Sequence, residues 1–277
     1  MVKQLIHISE MLLLNGSLLY NPGLIHGKMG VVIFLFHYAR YAGNGLFEDY
    51  AMFLIEKIQN QLNDNSPAEY ANGIAGVGAG IIYLTQNGFS EADVTTLADF
   101  DQHMYRAVMY EPCGNFSQYH GLTGYGKYWL MRLHQSSSSR QANTCLLQIA
   151  QKIEEKLPDI PANEQSDVYC FLHDLHQVSG FEFCKTLLER CRVWDLQTMD
   201  FPRLSNSTVG NIARTCLENK YFNQTRLDKI NVFPNQIPDL DMEKPPAEIG
   251  LHNGYAGEGL LCLTALNQVS NSWINLL

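Results

Sequence analysis

Few side chains in this sequence are of the kinds, and at the spacings, that do chemistry. His120 stands immediately before Gly121, and an imidazole titrating near pH ~6.5 can act there as a general acid or base. A loop hydrogen bond at a helix start explains it equally, because Asn72 and Asn253 fill the same slot before other glycines. Cys170, His173 and His176 offer sulfur and imidazole, the ligands zinc favours. Cys170 with His173, and His173 with His176, share a helical face. Cys170 and His176 do not: one straight helix sets them roughly 9 Å and about 120° apart. Binding one ion through all three requires a break in the helix, with Cys113 as a distant fourth ligand. Two carboxylates, Glu69 and Glu258, lie within or next to the glycine motifs. Glycoside hydrolysis would need such carboxylates paired, and neither has a partner at hand.

What must position these groups is a recurring pattern: His or Asn, Gly, two residues, Gly, then an apolar run. It occurs as His26-Gly27-Lys28-Met29-Gly30, Asn72-Gly73-Ile74-Ala75-Gly76, His120-Gly121-Leu122-Thr123-Gly124 and Asn253-Gly254-Tyr255-Ala256-Gly257, with a damaged copy at Asn206-Ser207-Thr208-Val209-Gly210. Gly27, Gly73 and Gly121 are 46 and 48 residues apart, and Ser207 precedes Gly254 by 47. The gap of 86 between Gly121 and Ser207 is close to two steps. A copy near Glu164 to Phe171 has therefore lost its glycines. Six repeats of roughly 45 residues, each two helices and two loops, account for the chain.

The apolar runs, such as Val31 to Phe36, Ile81 to Leu84 and Leu260 to Leu263, have little polar face and read as buried helices. A strand reading fails on Lys127 to His134, where polar residues do not alternate. Between the runs lie amphipathic segments. Glu48 to Leu62 carries Ala51, Leu54, Ile55, Ile58 and Leu62 on one stripe; Ser90 to Tyr110 and Thr144 to Leu157 repeat the design. Ser90 with Asp93 resembles a capping box. Gln135 to Arg140, Pro158 to Ser166 and the proline-rich Phe233 to Ala247 read as loops. The expectation is an all-α fold, an α/α toroid of about six repeats in one domain over 1–277, with buried helices as an inner ring and amphipathic ones outside. An open solenoid is the alternative. The N-termini of the inner helices gather at one end, where their dipoles favour a site.

The 277 residues are 46% hydrophobic, enough for a large core, and carry 19 basic against 28 acidic side chains, a net charge of −9. That balance disfavours nucleic acid and anionic membranes as partners and suits a basic peptide. Seven cysteines without regular spacing read as reduced thiols of a cytoplasmic protein. The apolar stretch from Met11 to Tyr20 is broken by Asn15, Gly16 and Ser17 and lacks a cleavage pattern, and Val31 to Phe36 is too short to span a bilayer.

Tyr70-Ala-Asn-Gly-Ile-Ala-Gly-Val-Gly, Asn115-Phe-Ser-Gln-Tyr-His-Gly-Leu-Thr-Gly, Gly250-Leu-His-Asn-Gly-Tyr-Ala-Gly and the ending Ser272-Trp-Ile-Asn-Leu-Leu resemble the lanthionine synthetase C-like (LanC-like) family of α/α toroids, from about Gly23 onward. The resemblance implies lanthipeptide-type maturation in which zinc activates a peptide cysteine thiolate for addition to a dehydrated Ser or Thr. It implies zinc held by a Cys in one late motif and a Cys-His pair in the next, with a His and an Asp handling protons. Here Ser205 stands where the first zinc thiolate belongs, no Cys-His-Gly occurs, and Leu251-His252-Asn253-Gly254 matches the family's closing repeat. The family has seven repeats against six here. His120 matches the family's His-Gly position, and Glu69 stands where it carries its aspartate, one methylene longer. His120 and Glu69 are thus the candidate catalytic residues. No cofactor is expected, because the zinc ligands of active relatives are not matched.

Three functions compete. The first is a zinc-less LanC-like accessory protein that binds a ribosomal peptide or that peptide's maturation enzyme in the central bowl of the toroid. The second is an active thioether-forming cyclase with a different metal site, such as Cys170 to His176. The third is a glycoside-active enzyme on a six-hairpin toroid.

Overall fold

Each glycine motif ends a loop and opens a helix, and the geometry explains why glycine recurs. In the second copy Ile74 N donates to Pro67 O at 2.9 Å, folding the loop back over the first helical turn. A Cβ on Gly76 would then meet the carbonyl of Tyr70 closer than 3.0 Å. Gly30, Gly124 and Gly257 face the carbonyl oxygens of Leu24, Gln118 and Leu251 in the same way, each six residues back. No side chain fits there without moving backbone.

The computed structural model describes residues 1–90, 97–135, 139–178, 180–191, 194, 200–222 and 249–277. Among these residues the chain is all helical. The helices are α1 (Val2–Asn15), α2 (Lys28–Ala42), α3 (Gly45–Gln61), α4 (Ile74–Gln86), α5 (Ala98–Tyr110), α6 (Leu122–Gln135), α7 (Arg140–Lys156), α8 (Ala162–His176), α9 (Cys184–Arg190), α10 (Thr208–Tyr221) and α11 (Tyr255–Ala265). Helices α2, α4, α6 and α11 follow intact motifs and are buried over most of their length. Helices α3, α5 and α7 bury one stripe, which in α7 is Ala142, Cys145, Leu146, Ile149, Ala150 and Ile153. Gly43, left-handed at φ 62°, stops α2, and the Asn44 side chain caps α3.

The loop expected over Pro158 to Ser166 is shorter than its composition suggests. After a 3-10 turn at Leu157–Asp159, α8 begins at Ala162 with Pro161 as its N-cap, because proline is already set for a helix start. The Asp93 half of the Ser90 pair, Val94, residues 136–138 of the loop expected over Gln135 to Arg140, and Phe233 to Ala247 lie outside the described residues.

Packing runs in two series. Each buried helix lies on the helix that follows it: α2 on α3, α4 on α5, α6 on α7, α8 on α9. Buried helices also lie on one another, α11 on α2, α2 on α4, α4 on α6, α6 on α8, and α10 on α11. Three contacts of this second series share a device. Gly78, Gly126 and Gly259 leave room for the rings of Tyr128, Phe171 and Phe34 from the neighbouring helix. Phe34 stands seven residues after Gly27, and Tyr128 seven after Gly121. Phe171 stands seven after Glu164, which puts Glu164 and Asp167 in the register of the two motif glycines. Helix α1, which no motif announces, packs on α11 through its Leu5, Ile8, Leu12 stripe.

Candidate functional site

The motif loops meet at the N-terminal ends of the buried helices and are stitched by backbone bonds. Leu251 N and His252 N donate to Ile25 O, Ile25 N to Ala71 O, and Ala71 N and Tyr70 N to Tyr119 O, all at 2.9–3.1 Å. One carbonyl per loop thus serves the next, from sixth to first to second to third. The fourth copy has no such loop. There the carboxylate of Glu164 accepts from Phe116 N, and that of Asp167 from Gln118 N, both at 2.7 Å. Asp167 also pairs with Arg203, which sits before α10 and donates to Leu277 O at 3.0 Å; both side chains are buried. Ser205 N then donates to His252 Nε2 at 3.1 Å, linking the fifth loop to the sixth.

On this face stands the pair singled out by sequence. His120 Nδ1 lies 2.7 Å from Glu69 Oε2, while Glu69 Oε1 accepts from Asn72 Nδ2 at 3.0 Å. Asn72 Oδ1 accepts from Asn21 Nδ2, and Asn21 Oδ1 from Gly23 N at 2.8 Å. Residues from three loops therefore fix the carboxylate, and the carboxylate fixes the imidazole. The His120 side chain is 51% exposed. Its Nε2 makes no hydrogen bond among the described residues, which is the arrangement a general base needs. A cleft of about 520 Å³ opens beside Asn72, walled by Tyr20, Pro22, Leu62 and Pro67.

Behind the pair the rings of His26, Tyr119 and His252 cluster, His26 and Tyr119 each 5.9–6.3 Å from a neighbour in the group. Burial first, then His26, Arg203 and Arg214, push the His252 imidazole down to about 4. Neutral and accepting at Nε2, it carries its proton on Nδ1, which finds no partner among the described residues. Burial raises the buried phenols of Tyr70 and Tyr119 above their ordinary value.

The residues where the family resemblance puts zinc do not fit that ion. Ser205 and Ser207 hydroxyls bond each other and Asn253 Oδ1. They supply no thiolate, and His252 Nε2 already accepts the Ser205 N–H. Nor is Cys170, His173, His176 assembled as a ligand set. Cys170 lies in the core, its thiol pushed up by burial; His173 packs edge-on against Tyr221; Cys113 donates to Asn115 O. Among the described residues no three His, Cys, Asp or Glu side chains are grouped to hold a metal. Glu258 is buried in the first turn of α11, whereas Glu69 is engaged with an imidazole and an amide rather than a second carboxylate.

A second cavity, of about 420 Å³, is lined by residues of α4, α6, α8 and α10, by Gln118 and Arg203 from the loops before α6 and α10, and by Ser272, Asn275 and Leu276. Sequence reasoning named neither Asp167 nor Arg203 at its floor. The one signal for Asp167 was the register of Phe171. Among the described residues no helix is long and apolar enough to cross a membrane. No protein-family model matches the chain, and no curated protein matches it.

Proposed function

We propose that the chain is a zinc-independent LanC-like protein, an α/α toroid of six hairpins that binds a ribosomally made peptide or the enzyme maturing it. Support for the ring comes from the order of contacts: α11, α2, α4, α6 and α8 pack in succession, Tyr221 of α10 donates to Asp174 of α8 at 2.8 Å, and α10 packs on α11. The observation that carries the function is the Glu69–His120 pair beside the cleft of Tyr20, Pro22, Leu62 and Pro67. Aromatic and proline walls hold apolar side chains of an extended peptide, and the net charge of −9 favours a basic one and speeds the encounter.

A second reading keeps the scaffold and gives the pair chemistry. Its specific support is His120 Nε2, open to solvent on an imidazole oriented by Glu69, fit to move a proton on a bound peptide.

The test pans the purified full chain against a displayed library of random linear peptides and measures its zinc content. An enriched peptide family is expected whose binding weakens about tenfold in Tyr20→Ser, a loss of about 1.4 kcal/mol, and is unchanged in the distant Tyr110→Ser. Absence of any enriched family, or stoichiometric zinc in the purified protein, overturns the proposal.

A further inference from the structure

The second cavity contains a lysine without a counter-ion. Lys127, midway along α6, lines it. Two carboxylates reach the same cavity, but both are engaged: Asp167 with Arg203, and Asp174 with Lys220 at 3.2 Å and with the Tyr221 hydroxyl. Among the described residues Lys127 Nζ has no hydrogen-bond acceptor and no ion pair; its one close partner is the Tyr70 ring, 5.2 Å from nitrogen to centroid. An ammonium there is half-buried, gains only a weak cation–π contact, and shares the space with the Arg203 and Lys220 cations. Desolvation, then Arg203 and Lys220, hold it well below the usual lysine range, against the pull of Asp174 and Asp167. Desolvation beside other cations is one of the ways a lysine becomes a nucleophile at neutral pH.

We propose that this cavity binds a small aldehyde or ketone and condenses it with Lys127 Nζ as an imine. Leu130, Met131, Phe171 and Leu217 line the space and would seat the carbon skeleton. In the step, the Nζ lone pair attacks the carbonyl carbon to give a carbinolamine. The carbonyl oxygen then leaves as water with the two amine hydrogens, and the C=N bond forms; nothing is oxidised or reduced. Neither Glu69 nor His120 lines this cavity, and the site does not depend on the peptide-binding reading.

The test treats the purified full chain at pH 7 with limiting propanal and sodium cyanoborohydride and maps the reduced adduct by peptide mass spectrometry. Lys127 is expected to label about tenfold or more ahead of the exposed Lys3 and Lys185, because a lowered pKa raises the neutral fraction. Leu217→Trp, which fills the cavity and leaves Lys127 in place, should suppress labelling of Lys127 and spare the surface lysines. Labelling of Lys127 no faster than Lys3 and Lys185 overturns the proposal. So does undiminished labelling in a folded Leu217→Trp protein.

Discussion

Replacing Asp167 tests how the fourth repeat is held. Its carboxylate receives Gln118 N at 2.7 Å and neutralises Arg203, whose side chain is only 6% exposed. Asp167→Leu strips both. An unpaired buried charge costs about 3–5 kcal/mol, and an orphaned backbone N–H adds about 1–3 kcal/mol. The loss, about 4–8 kcal/mol, is a large share of the roughly 5–15 kcal/mol that a folded chain has in reserve. It corresponds to a Tm drop of about 10–30 °C at this size. Arg203 keeps its bond to Leu277 O, which sets the lower end of the range. Arg203→Met leaves the carboxylate buried without its cation and should cost about 3 kcal/mol or more. The double variant removes both charges and should recover about 3 kcal/mol relative to the sum of the singles. Urea unfolding followed by far-ultraviolet circular dichroism on the four proteins closes the cycle. Additivity within about 0.5 kcal/mol would refute the reasoning, since a working ion pair must couple.

Other outcomes follow from single observations. Gly76→Ala should destabilise by about 2–4 kcal/mol by forcing apart the Tyr70 carbonyl and the bonds to Tyr119 O, whereas Gly114→Ala, where a Cβ meets open space, should change stability by less than about 1 kcal/mol; equal effects in chemical denaturation would count against the close-approach account. His37 and His252 are buried, with imidazoles pushed down to about 4, His37 by burial first and then Arg40. Because the unfolded chain binds these protons and the folded one does not, their contribution is complete above pH ~6.5 and is lost as pH falls toward about 4, by about 2 kcal/mol each at pH 5. Thermal melts at pH 7.5 and 5 read this, and a flat profile would contradict it. Ser207 Oγ accepts from Gly210 N at 3.1 Å as the N-cap of α10, so Ser207→Ala should cost about 1 kcal/mol, with Ser207→Gly milder, both measured by urea unfolding.

Much of the architecture was legible because its constraint falls on residue type. A carbonyl six residues back demands glycine, and a helix packed on several sides demands an apolar run, so α2, α4, α6 and α11 could be read directly. Glu69 and His120 were each legible as positions in a motif, and the bonds between the second and third loops bring them together. Where side chains substitute for backbone, the reading weakened. Glu164 and Asp167 do not look like glycines, so the fourth copy showed only as a gap in spacing. Arg203 carried no signal, because its importance lies in a partner 36 residues away. Helix α1 has an ordinary amphipathic stripe and no motif, so its place against α11 could not be foreseen. The lysine at position 127 looked like one polar residue in a helix, because what isolates it is the pairing of Asp167 and Asp174 with other cations.

The motif loops are joined by two different means, and that difference bears on where a single substitution can act. From the sixth loop through the third, links run backbone to backbone, and no single side chain can be removed to break them. From the third loop through the sixth, each link passes through a side chain: Glu164, Asp167, Arg203, Ser205 or His252. A side-chain link is directional and often charged, and one substitution removes it. The glycine-poor copies are also where the family resemblance places its metal ligands, at and around Ser205. The Ser205 and Ser207 hydroxyls bond the Asn253 amide there, and the neighbouring Asp167–Arg203 pair lines the cavity that holds Lys127. Polar side chains thus take the place of backbone links where glycine is missing, and two of them, Asp167 and Arg203, carry charge into the second cavity.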